Sequence, residues 1–129
     1  MQKNIIITAA VLGMLAVITG AFGAHALKAR LEVSQIQVWN TAVQYQFYHV
    51  LALLFLSTLA RNDSNQVYAA YWLFVLGIVF FSGSLYLLSC SSILQWSWLR
   101  ILGPITPIGG LLFIAGWFML LLAAVKNKL

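Results

Sequence analysis

Charge is what this chain has least of. Only 7% of its 129 residues are charged, and just two of them are acidic, Glu32 and Asp63. A soluble domain typically carries about a quarter charged residues. Too little polar material is therefore present to cover a water-facing surface. Both acids stand in polar connections, so no apolar stretch holds a carboxylate for acid–base chemistry or a metal. Cysteine is nearly absent too. Cys90 alone excludes an internal disulfide and has no companions at metal-ligand spacing, so it reads as a small apolar residue near a helix end. No metal and no cofactor are expected.

The seven basic residues, Lys3, Lys28, Arg30, Arg61, Arg100, Lys126 and Lys128, give a formal charge of +5. Each stands at a hydrophobic boundary, as helix-end anchors do, and no patch forms. Nucleic acid is therefore excluded as a partner.

What the chain does have is apolar residues, 63% of the total. A hydrocarbon core takes roughly 20 of them per helical crossing, which leaves room for four crossings and no soluble domain. The expected fold is an all-α integral membrane protein, one four-transmembrane-helix domain over residues 1–129. The patterning predicts helices over about residues 5–27, 35–60, 65–90 and 106–125. Ahead of the first connection, Ala24-His25-Ala26 imitates a signal-peptide cleavage site, but the apolar run before it is long enough to span and is expected to remain.

Along the first helix Ala16, Gly20 and Ala24 recur at four-residue steps with Gly23 beside them, a face suited to close packing. Ser34 followed by Gln37 resembles a capping box for the second helix, whose first turns, Ile36 to Trp39, are expected in the headgroup zone. Asp63 or Ser64 would cap the third, and Tyr68, Tyr71 and Trp72 would form an aromatic belt there. Trp96, Trp98 and Arg100 read as interface anchors in the third connection. Thr106 as N-cap with Pro107 at the first helical position would start the fourth helix. Gly109 and Gly116 then share a face, and Gly83 is a further packing position.

Polar groups interrupt this pattern in one place above all. WNTAVQYQFYH, Trp39 to His49, runs directly into the apolar LALLFL. Polar side chains in hydrocarbon are costly unless they find partners. Ala42, Tyr45, Gln46, His49 and Leu53 share one helix face. Short connections imply an up-down-up-down bundle, which puts His25, Tyr45, Gln46, His49, Ser82, Ser84, Tyr86 and Thr106 in the same half. The other half is nearly all aliphatic. One polar half-bundle is therefore expected. Counting basic residues gives four on the side of the termini and three on the other, which favours cytoplasmic termini.

GAFGAH at Gly20–His25, YQFYH at Tyr45–His49, FSGSLY at Phe81–Tyr86 and TPIGG at Thr106–Gly110 resemble the motifs of the YgdD-like inner-membrane family. It is also called domain of unknown function 423 and has an animal relative, transmembrane protein 256. The resemblance covers essentially the whole chain. It implies a four-helix bacterial inner-membrane protein, and it implies no activity.

The polar groups admit three readings. The first is a hydrogen-bond network that fixes helix packing, in a small scaffold or partner subunit that meets the lipid bilayer, a second copy through its glycine faces, or another membrane protein. Alternatively His49, oriented by Tyr45 and Gln46, serves proton-linked or small-solute transport, though the aliphatic half offers no through-path. An enzyme or haem protein is the third. His25 and His49 are the only bases, and an axial offset of roughly 12 Å between them argues against shared ligation. The chain is not expected to be an enzyme.

Overall fold

A chain crossing hydrocarbon has to satisfy its own backbone hydrogen bonds, and a helix does so within one segment. The computed structural model, which describes residues 1–62 and 64–126, meets that demand with four long helices. They are α1 (Gln2–Leu27), α2 (Val33–Leu59), α3 (Asn65–Ser89) and α4 (Ser97–Val125), each long and apolar enough to cross a membrane. No strand occurs among the described residues. Asp63, expected as a cap, and Lys128, expected as an anchor, lie outside the described residues.

The helix starts differ from expectation for identifiable reasons. Glu32, not Ser34, is the N-cap of α2, and Gln35, not Gln37, closes the capping box by accepting from the Glu32 N–H at 3.1 Å. An acid there also meets the positive end of the helix dipole. Ser64 stands at the N-cap of α3, but its hydroxyl donates to Gln66 Oε1 and caps nothing. The largest correction falls on α4. A 3-10 segment, Ser97–Ile101, runs straight into α-helix from Leu102, so Thr106 is no cap and Pro107 lies inside the helix. Pro104 stands in the first turn of the α-helical part, three residues before Pro107.

Pairings across the helices fix their directions. Gly13 lies against Val50, Gly20 against Val43 and Gly23 against Trp39, so α1 and α2 are antiparallel. Phe74 meets Gly116, Gly77 meets Phe113, Phe81 meets Gly109 and Ser84 meets Thr106, so α3 and α4 are too. Thr8 bonds Tyr71 at 2.9 Å and Thr19 bonds Tyr86 at 3.1 Å, which makes α1 and α3 parallel. The chain therefore runs up-down-up-down.

The packing follows chain order: α1 on α2, α2 on α3, α3 on α4, with no extensive face shared by α1 and α4. The result is a staggered ribbon of helices, not a closed square. Burial reflects this, since half of the apolar window of α2 is buried against 17% for α1 and 22% for α4. A large core of Leu53, Leu56, Val67, Phe74 and their neighbours joins α2, α3 and α4. A smaller one of Leu27, Leu31 and Trp39 sits near the first connection.

Gly20, Gly23, Gly109 and Gly116 face other helices of the same chain. Gly83 departs from the expected role. Nothing lies within 4 Å of where its Cβ would stand, and it opens onto a groove between α1 and α3. Two turns are π-helical, Gly23–Leu27 and Ile78–Ser82. The first ends α1; the second takes up one extra residue within α3, which rotates the remainder of that helix by about 100° relative to a continuous α-helix.

Candidate functional site

Side chains on a helix lean toward its N-terminus, so on antiparallel neighbours they can reach past one another and meet between turns. Gln46 of α2 and Tyr86 of α3 do this. The Tyr86 hydroxyl donates to Gln46 Oε1 at 2.6 Å, and Gln46 Nε2 donates to the Leu12 carbonyl of α1 at 2.8 Å. The Tyr86 hydroxyl also lies 3.1 Å from that of Thr19, which donates to the Ala16 carbonyl of its own helix at 3.1 Å. Trp39 closes this station from the side of the first connection. Its indole N–H donates to the Thr19 carbonyl at 2.8 Å and its ring packs on Tyr86 at 4.7 Å. Trp39 is only 7% exposed, so it is a core residue of this end of the bundle.

Ser82 and Ser84 serve two further joints. Ser82, fully buried, donates to the Ala42 carbonyl at 2.7 Å and ties α3 to α2. Ser84 pairs with Thr106 and ties α3 to α4. These are small hydroxyls bridging closely approaching backbones, as hydroxyls do in membrane helices.

His49 forms a separate station. Its Nδ1 lies 2.8 Å from the Tyr45 carbonyl, and the Trp117 indole N–H donates to its Nε2 at 3.1 Å. A carbonyl only accepts and an indole N–H only donates, so His49 is held neutral with the proton on Nδ1. Phe113 stacks on the imidazole at 3.6 Å and 8°. Protonating Nε2 would set two N–H groups against each other. Tyr45 orients His49 through its backbone carbonyl, not its side chain, while Gln46 turns away to α1 and Tyr86. A groove of about 560 Å³ between α2 and α4 runs past Tyr45, His49, Phe81 and Trp117.

The eight expected polar residues thus do not form one cluster. Gln46 and Tyr86 meet directly, Ser84 and Thr106 meet, Ser82 bonds backbone, and His49 with Tyr45 stands apart. His25 is exposed at the end of α1 and lines a different cavity, with Arg30 and Cys90. Nor is the other half purely aliphatic, since Thr8 and Tyr71 bond there and Tyr71, expected in the aromatic belt, is buried. Thr8, Thr19 and Trp117 were missed because a lone Thr or Trp in an apolar run carries no pairing signal of its own. Among the described residues no group of His, Cys, Asp and Glu could hold a metal ion.

A family model described as a protein of unknown function, DUF423, matches residues 19–110. The chain belongs to the DUF423 family. The DUF423 match takes in the Gln46–Tyr86 station, the Ser84–Thr106 pair and His49 itself, while Thr8, Leu12 and Trp117 fall outside it. A UPF0382 membrane protein of Staphylococcus haemolyticus is 50% identical over 125 residues, covering 97% of this chain and 98% of its own. The UPF0382 membrane protein YwdK of Bacillus subtilis is 48% identical over 127 residues, with 97% and 98% covered. No solved structure matches the chain. The chain is accordingly an integral membrane protein of a bacterial family without a known activity.

Proposed function

We propose that this protein is a non-enzymatic packing bundle of the bacterial inner (plasma) membrane, whose intramembrane polar groups hold helices together and conduct nothing. One observation carries the reading. Among the described residues every buried side-chain nitrogen and oxygen has a hydrogen-bond partner within the chain. A transport site needs polar groups that exchange partners with a solute, and a catalytic site needs some aimed at an empty reaction volume. Here Gln46, Tyr86, Ser82 and His49 are already committed to other helices or their own backbone. Under this reading the outer faces of α1 and α4 meet lipid, a second copy or another membrane protein. The balance of basic residues favours termini in the cytoplasm.

The competing reading is proton-linked transport through His49, which the groove beside it keeps open to test. Protein reconstituted in liposomes under a pH gradient is expected to add no proton flux over empty vesicles, for wild type and His49→Ala alike. Flux that wild type shows and His49→Ala loses would reverse the assignment.

A further inference from the structure

The polar stations lie deep among the helices, but a further cavity lies elsewhere. It has a volume of about 630 Å³ and forms where the end of α1, the first connection and the start of the third connection come together. Ligand pockets typically measure about 300–1,000 Å³. Its wall is two kinds of surface. Phe22, Ile93 and Leu94 supply an apolar part, and His25 and Arg30 supply the polar part beside Cys90.

The charge of that wall is one-sided. No carboxylate is among its described lining residues. Glu32, two residues beyond Arg30, is outside the lining, and its carboxylate accepts from the backbone at the start of α2. A guanidinium offers a planar fork of donors that matches phosphate oxygens in pairs, and an imidazole N–H beside it adds another donor. The cavity also sits where apolar helix gives way to charged connection, the depth at which lipid phosphates lie.

We infer that this cavity binds the phosphate of an anionic phospholipid, with part of one acyl chain along Phe22, Ile93 and Leu94. A free phosphate would leave those apolar side chains wet, whereas an acyl chain covers them. A zwitterionic lipid brings its own cation, which Arg30 and the one-sided wall do not favour. The inference is independent of whether the polar core conducts.

Cys90 supplies the readout, because it is the only cysteine of the chain and stands in the cavity wall. The full chain is placed in phosphatidylcholine vesicles with increasing phosphatidylglycerol, and the rate of Cys90 labelling by a neutral maleimide is followed. Labelling is expected to slow severalfold as phosphatidylglycerol rises. Arg30 is exposed, so Arg30→Gln is expected to keep its helical circular dichroism. It should need about fivefold more phosphatidylglycerol for the same protection, the equivalent of about 1 kcal/mol for one basic side chain at a membrane surface. Labelling in the Cys90→Ser, Trp98→Cys variant, at an exposed site in the third connection, should not depend on Arg30. Equal Cys90 rates in both lipids, or slowing that survives unchanged in Arg30→Gln, would overturn the proposal. So would protection by inorganic phosphate alone, which would assign the site to the free anion.

Discussion

The α1–α2 and α3–α4 contacts are both built on glycine, yet they use it differently. A Cβ on Gly13 or Gly20 would stand 3.4 Å from a valine methyl of α2, an ordinary contact. A Cβ on Gly109 would collide with the backbone of Phe81, and one on Gly77 or Gly116 with the ring of Phe113 or Phe74. In α3–α4 glycine is therefore what permits the helices to approach. Along most of α1–α2 it is merely small. Gly23, pressed against the Trp39 indole, is the exception at one end. The same residue type in the same small-residue spacing carries different energies according to whether it faces backbone, ring or a flexible methyl.

Substitution by alanine sharpens this contrast. Gly109→Ala should show the largest loss, about 3 kcal/mol in unfolding from mixed micelles, because backbone cannot step aside as a side chain can. A loss well below that would mean that α3 and α4 shift apart easily, and the distinction would collapse. Next comes Tyr86→Phe, which leaves Gln46 Oε1 unpaired and is expected to lose about 1–2 kcal/mol by the same measurement. An unchanged stability would mean that Gln46 re-pairs elsewhere. At the small end, Gly20→Ala and Gly83→Ala should be neutral or stabilise by up to about 1 kcal/mol, since neither meets an obstacle and alanine restricts the unfolded backbone. A clear destabilisation by Gly20→Ala would place the two contacts in one class after all.

Legibility in the sequence depends on the kind of signal. Hydropathy and short connections are properties of whole segments, so the four helices and their alternation stand in the sequence. Gln46, His49 and Tyr86 were legible as polar groups in hydrocarbon because their side chains advertise an unmet need. Their partners were not. Leu12 and Ala42 contribute carbonyls that every residue has, and Trp39 and Tyr71 near helix ends look the same whether they anchor at the surface or turn inward. Pro107 misled because proline favours a first helical position, whereas here the helix has begun well before it. The π turn at Ile78–Ser82 shifts the phase of α3, so a 3.6-residue period does not carry across it. Ser84 lies two residues from both Ser82 and Tyr86, about 200° round a helix, so it meets α4 while they meet α2.

The open ribbon has a consequence for how the protein is made. Each helix packs on the one synthesised just before it, and none waits for the last helix to seal a ring. Assembly can then proceed stepwise as spans leave the ribosome, with short loops between successive partners and few long-range closures to search for. The last span adds to a platform that α2 and α3 have already formed.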